Sequence, residues 1–346
     1  MAQRSPRQSI FLVQNATTWG TPIAGGALDG FMGSVDELSL QGDTIADIGE
    51  GGNFGEIQYK DVIRHTVTPT FTIPMRRTGV QNLFWAHLVG DDVVSGVGPY
   101  THTFNWTDES TLFCTVAVEI NNADIIEFSC LKTTGITVEP DGDGFMQWVI
   151  STIGDTVLIG SDATNNGTAF DNVTFITQTL RVPFRETRFR ISEQEGADPS
   201  TNDPILSFSL AIDRAYDVEE LTQGVSSGKE YQTFEPKRGD HTNIIFGFDT
   251  PDYTTLELLD DFKDEDLKKG ELLWGKTVGT AFTDEIEMSH MEPLPHNSPL
   301  LGGGRIPLTR NFRLVQPQSA PTGHATATII HRFMVDNSNV TYETNA

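Results

Sequence analysis

The chain has 346 residues and a formal net charge of −25, from 23 basic and 48 acidic side chains. Both halves are acidic, with 7 basic against 21 acidic residues in 1–180 and 16 against 27 in 181–346. Neither half therefore offers the clustered Lys and Arg needed to neutralise nucleic-acid phosphates or to hold an anionic membrane. With 37% hydrophobic residues, 32 Gly and 17 Pro, the composition points to two domains of short strands, an all-β fold with minor helix.

Two cysteines exclude a disulfide-rich scaffold. Cys114 and Cys130 read as reduced, buried small hydrophobes, and their spacing does not decide whether they pair. Residues 1–8 precede only four apolar residues, 10–13, so no signal peptide fits, and no apolar run approaches a membrane span. Use in the cytoplasm is expected.

In chain order, residues 1–33 are Gly-rich and polar outside 10–13. They read as an N-terminal arm that cannot bury itself, either disordered or laid across a neighbour, which makes Trp19 and Pro22 interface candidates. A first domain is expected over 34–172. Strand 35–40 opens it, and 41–58, with five glycines and four acidic residues, reads as a long contact loop carrying Asp43, Asp47 and Glu50. Residues 67–73 alternate as a strand that Pro74 stops, and Val80, Leu83, Phe84 and Leu88 then follow at helical spacing. Asp141, Gly142, Asp143 and Gly144 begin like a calcium loop, but Phe145 holds the fifth position. A type I′ hairpin turn is the better reading. Residues 160–172 form the internal boundary.

A second domain is expected over 173–335. Residues 174–191 alternate through Phe175, Leu180, Val182, Phe184, Phe189 and Ile191, and carry Arg181, Arg185, Arg188 and Arg190. These arginines are either an exposed face balancing local carboxylates or an interface strand whose forks meet acidic loops of the next subunit. A second long loop, 216–240, matches 41–58. Strand 244–248 runs into Pro251, after which Leu256, Leu259 and Phe262 repeat the helical spacing. The charge run 260–269 reads as a solvated face, and 336–346 as a flexible tail.

The plan of the first domain thus recurs about 175 residues later, with 286–288 answering 116–120 and 325–330 answering 145–150. Side-chain identity is slight, so order and spacing carry the repeat. Two like units per chain suit a ring whose symmetry is half its number of units.

No catalytic constellation emerges. Gly224, Val225, Ser226, Ser227 and Gly228 spell the hydrolase elbow, but Glu219 and Glu220 precede it where a buried strand is needed. His290 and His296 are six apart in a Pro-rich loop, a spacing that suits surface histidines. Asn15, Asn105, Asn166, Asn172 and Asn339 open glycosylation sequons that matter only on secretion. Residues 302–304 lack the Lys and Ser/Thr of a phosphate loop. Phe71, Phe84, Trp85, Phe145 and Trp148 lack interleaved basic residues and read as core. No catalytic, cofactor or metal-binding residue is assigned.

Several short motifs occur in a familiar order: Trp19, Gly20, Thr21, Pro22; Val67, Thr68, Pro69, Thr70, Phe71 ahead of the 83–88 helix; and Tyr100, Thr101, His102, Thr103, Phe104. Residues 135–139 and 145–150, closed by Gly154, complete them. In these the chain resembles the tail tube protein of long-tailed, non-contractile bacteriophages, the siphophage major tail tube protein in its tandem-domain form. The resemblance implies two β-sandwich domains, each with a flanking helix, that contribute strands to a shared β-barrel ring. It also implies homotrimeric rings that stack into a tube in the virion tail, assembled in the host cytoplasm. The implied partners are other copies of the chain, a tape-measure protein, tail terminator and distal tail proteins, and double-stranded DNA that passes without specific binding. No membrane partner and no cofactor are implied. The chain departs from the family in its acidic excess and in 260–269. A different β-sandwich virion or glycan-binding surface protein is the alternative, and it would need exposed aromatic-lined pockets.

Overall fold

Alternating apolar residues build long strands throughout. In the first half β1 (Ser9–Ala16), β2 (Asp29–Asp47) and β3 (Tyr59–Pro74) precede helix α1 (Gln81–Val89). Then come β4 (Asp92–Ser95), β5 (Tyr100–Phe104), β6 (Phe113–Glu119), β7 (Ile125–Pro140), β8 (Met146–Gly154) and β9 (Val157–Ile159). Helix α2 (Gly167–Asp171) and β10 (Thr174–Phe175) lead to the second half. That half comprises β11 (Arg188–Glu193), β12 (Ser207–Asp217), β13 (Lys237–Thr250), β14 (Lys268–Gly275), β15 (Thr283–Pro293), β16 (Leu308–Leu314) and β17 (Ile330–Asp336). This is a computed structural model, and it describes residues 9–23, 29–47, 59–77, 79–108, 110–120, 124–171, 174–175, 180–217, 235–251, 266–275, 282–295, 308–336 and 342. All strands join one hydrogen-bonded sheet system, antiparallel except where β10 meets β2. The observed class is all-β with minor helix.

Two strands change partners along their length and so fold the first half into layers. Residues 29–33 of β2 pair with β1 and 34–47 with β3; 125–131 of β7 pair with β6 and 131–140 with β8. The apolar faces meet between the layers. Phe11 on β1 lies edge-on to Phe71 on β3 at 5.7 Å, and Phe71 meets Phe128 of β7 at 6.0 Å. Trp148 on β8 abuts Trp85 on α1 at 5.4 Å. Each of these rings is at most 1% exposed, and burial of such a side chain stabilises by roughly 2–3 kcal/mol. Helix α1 ends where Gly90 takes φ +99° and its N–H bonds Ala86 O at 2.7 Å, a left-handed cap that disfavours a Cβ.

The pairings of the first half recur in the second. Pairings β1–β6, β2–β3, β3–β8, β6–β7, β7–β8 and β7–β9 have counterparts β11–β14, β12–β13, β13–β16, β14–β15, β15–β16 and β15–β17. Register recurs as well. The row Phe11, Val118, Ile126, Ile159 across β1, β6, β7 and β9 matches Phe189, Leu272, Ile286, Arg332 across β11, β14, β15 and β17. Elsewhere Phe71 faces Ile150 as Phe248 faces Arg310, and Leu131 faces Gly154 as Met291 faces Leu314. The β1–β2 pairing has no counterpart among the described residues, and the sheet stays open there.

Several expectations are corrected. Residues 9–16 are no loose arm: β1 inserts between β2 and β6, and Phe11, Leu12 and Val13 are at most 2% exposed. Residues 41–47 continue strand β2 rather than forming a loop, because they hold register with β3 as far as Asp47 opposite Tyr59. The boundary segment roofs a small core, with Ala163 and Phe170 packed on Leu12, Ala117 and Ile125. The single strand expected over 174–191 is interrupted by a 3-10 turn, Phe184–Glu186. The segment answering 116–120 is β14, not 286–288, and β16 rather than 325–330 answers β8, as the register rows require. The turn after β7 is not type I′. Among its glycines only Gly144 has a positive φ, and Asp141 Oδ1 accepts from the N–H groups of Asp143 (2.9 Å) and Phe145 (2.8 Å). Lys268 and Lys269, at the end of the expected solvated run, are buried in β14; 260–265 lie outside the described residues, as do the elbow at 224–228, His296, 302–304 and the helix expected at 256–262.

Candidate assembly interface

The joint between the halves is rich in buried polar contacts. Beyond its own sheet, β7 pairs Gly135, Ile136, Thr137 and Val138 with Asp213, Ile212, Ala211 and Leu210 of β12. On the other flank β17 pairs with β5. Helix α1 lies between these contacts, and all nine of its residues are buried.

Two arginines of the second half hold that helix. Arg214, fully buried on β12, donates to Leu88 O (2.5 Å), Thr107 O (2.9 Å) and Asp108 O (2.6 Å), with its guanidinium 5.2 Å from the Trp106 ring. A cation there satisfies carbonyls left open at the helix end and meets the negative end of the helix dipole. Arg332, fully buried on β17, bonds both Asp284 oxygens (2.8 and 2.7 Å) and Asn82 Oδ1 (2.7 Å). It sits 5.2, 4.9 and 4.9 Å from the rings of Trp85, Phe104 and Trp148. Lys132 of β7 crosses back to Glu235 (2.5 Å) and Pro236 O (3.1 Å). Sequence reasoning missed all three residues. The available signal was a cation at an apolar position of an alternating strand: Arg214 shares a face with Leu210 and Ile212, and Arg332 with Ile330 and Met334.

A second network pins the chain's end to the joint. His102 on β5 lies between Asp92 (3.1 Å) and Asp336 (3.2 Å). Burial alone lowers its pKa, but the hydrogen bonds the imidazolium donates to Asp336 and Asp92 outweigh that and raise it to about 9. Tyr342 donates its hydroxyl to Asp336 (2.8 Å) and its N–H to Asp92 (2.8 Å), and its ring lies 5.0 Å from His102. The expected flexible tail is therefore fixed at Tyr342.

The predicted interface residues that the structure describes lie on several elements of the chain. Trp19 is turned inward, edge-on to Phe113 at 5.4 Å, and Gly20 N–H donates to Cys130 Sγ at 3.2 Å, so this part of the arm lies on its own chain. Pro22 is half-buried beside it. Asp43 and Asp47 belong to β2, and Glu50 lies outside the described residues. Arg181 bonds Asp141 at 2.6 Å and covers the Phe145 ring at 4.5 Å; Arg190 bonds Glu271 at 3.3 Å. Arg188 is half-buried on β11, and Arg185 is exposed. Two of the four arginines thus meet acidic partners within the chain.

No protein-family model matches this sequence, and no curated protein matches it significantly. Burial, reinforced by Cys130, pushes the Cys114 thiol far up, and burial raises Cys130 to about 11, so neither forms the thiolate a nucleophile needs at neutral pH. Both are free and buried. His87 is held neutral, at about 3, by burial and by Lys132. Among the described residues no group of three or more His, Cys, Asp or Glu side chains could hold a metal ion, and no helix is long and apolar enough to cross a membrane.

Two edges in the first half occupy positions that are covered in the second. Residues 38–41 of β2 hold the places that 210–213 hold in β12, as the registers of β2 on β3 and β12 on β13 show. In β12 the outer edge takes β7; in β2, among the described residues, no strand pairs with that edge at 38–41. Likewise β17 pairs outward with β5, whereas β9 pairs only with β7 among the described residues.

Proposed function

We propose that the chain is a structural subunit of a bacteriophage tail tube, built as two tandem tail-tube-like β-sandwich units. Three chains close a ring of six quasi-equivalent units, and rings stack around an acidic lumen through which genome DNA passes. The observation that carries this reading is the β7–β12 joint together with its counterpart on β2, which takes no strand among the described residues. A chain that joins unit one to unit two by strand addition, and whose described residues leave the same edge of unit one unpaired, is arranged to receive unit two of another copy. Continued head to tail, that strand addition closes a ring. The resemblance of the motifs at 19–22, 67–71 and 100–104 supplies the tail tube context. It also implies the partners: a tape-measure protein during assembly, and terminator and distal tail proteins at the ends.

The acidity suits a conduit. Two like charges 10 Å apart in water repel by about 0.4 kcal/mol before screening, and the Debye length at physiological salt is about 8 Å. DNA is not blocked by such a wall; it finds no cations to dwell on. The same repulsion opposes assembly of chains each carrying −25, so moderate salt favours assembly. Negative-stain imaging of concentrated protein across a salt series tests the proposal. Hollow tubes or rings are expected, and a chain that stays monomeric under every condition contradicts it.

A further inference from the structure

The register rows assign residues of the matched strands counterparts in the other half, and the two joint arginines have unlike counterparts. Arg332 corresponds to Ile159, because Phe11, Val118, Ile126 and Ile159 align with Phe189, Leu272, Ile286 and Arg332. Arg214 corresponds to Gly42, since Gly42 faces His65 two places beyond Leu40 opposite Val67, as Arg214 faces Thr242 beyond Ile212 opposite Ile244. Within the chain Arg332 is fully buried against the first half, among Trp85, Phe104 and Trp148. Ile159 is 62% exposed. The position is covered in one unit and uncovered in the other.

Two features, the β2 edge at 38–41, which takes no outer strand among the described residues, and the exposed Ile159 on β9, are counterparts of second-unit features that contact the first unit. They therefore face the same neighbour. We propose that Ile159 and the outer edge of β9 dock on the second half of another copy of this chain, and that this between-chain joint is apolar where the within-chain joint is cationic. The inference rests on the ring reading above and adds the chemistry of its second kind of joint.

The exchange of Arg for Ile has a physical reason. The within-chain joint forms during folding, where Arg332 keeps Asp284 as a partner from its own half, and its desolvation is offset by that pair and by three aromatic faces. A joint between finished subunits starts from two wetted surfaces. An isolated arginine there would lose its water on docking, whereas a solvent-exposed isoleucine gains by leaving water. An apolar contact can also form and reform while rings are built, without breaking an ion pair.

Two measurements test this together. The concentration at which half of the protein assembles is read by sedimentation for the wild type, Ile159→Glu and, as a control, Val97→Glu at the 95%-exposed tip between β4 and β5. Ile159→Glu should raise that concentration by at least about tenfold while leaving the far-UV spectrum and melting of the monomer unchanged, and Val97→Glu should shift it less than about twofold. A benzoylphenylalanine placed at 159, in a mixture of isotopically light and heavy chains, should cross-link to residues of the second half of a different chain. Normal assembly of Ile159→Glu, or cross-links confined to the same chain or to another first half, overturns the docking assignment while the ring reading stands. A wild type that never assembles overturns the ring reading and this inference with it.

Discussion

The outer faces of the two halves use one scaffold for opposite chemistry. Across β1, β6, β7 and β9 the outer row reads Leu12, Ala117, Glu127, Leu158; across β11, β14, β15 and β17 its counterpart reads Arg190, Glu271, Glu287, His331. The first row is roofed by Ala163 and Phe170, and its lone carboxylate accepts from Thr164 N (3.0 Å) and Asn165 N (2.7 Å). The second is roofed by loops whose carbonyls, Gly196 O and Thr322 O, take the buried Lys269 ammonium at 2.8 and 2.7 Å. Burial, helped by Glu285 and Asp198 and opposed by Arg190, lifts Glu271 to about 7. Strand order and register survive this exchange. They are therefore set by the backbone ladder and the core-side row, and the outer face is free to diverge as long as its roof supplies partners.

The largest expected effect tests whether β1 belongs to the ladder as β11 does. Deleting residues 1–20 removes Phe11, Leu12 and Val13 and bares β6, and it should cost more than about 5 kcal/mol by denaturant unfolding. A fully folded deletion variant would return this segment to the status of an arm. Exchanging the outer rows comes next. Leu12→Arg with Ala117→Glu puts charges under an apolar roof and should destabilise by about 3 kcal/mol or more, whereas Arg190→Leu with Glu271→Ala should be neutral or stabilising by about 1–2 kcal/mol. Equal costs in both directions would mean that the roofs, not the strands, fix each half.

At the joint, Asp284→Asn leaves Arg332 without its carboxylate and should cost about 3 kcal/mol, with chain melting as the measure. A smaller effect is expected from pH. The folded state holds His102 at about 9, above the ordinary 6.5, so its contribution is complete below 6.5 and is lost as pH rises through 9. The melting temperature should fall between pH 7 and 9.5, and His102→Gln should flatten that slope.

Much of this was legible in the sequence where signals are local. Residues 67–73 and 80–88 gave strand and helix through period and a proline stop, and 244–248 gave its counterpart. The repeat itself was legible as order. Its alignment was not, because Phe189 follows Phe11 by 178 residues while Leu272 follows Val118 by 154: the stretch between the aligned strands is longer in the first half. Strand β1 escaped notice because its apolar patch is four residues long and its partner β6 lies about a hundred residues away, beyond the reach of any periodicity. The interface reading of Arg181 and Arg190 missed that Asp141 and Glu271 fold back to meet them. The joint arginines were hidden for the opposite reason, since Arg214 and Arg332 occupy positions that alternation reserves for apolar side chains.

The mass of the closed assembly tests the central claim most directly. Native mass spectrometry of single rings, dissociated from tubes or trapped before stacking, should give three 38.1 kDa chains, about 114 kDa in all, as six strand-joined units in a closed ring require. A ring of six chains would contradict the pairing of two equivalent units in each chain.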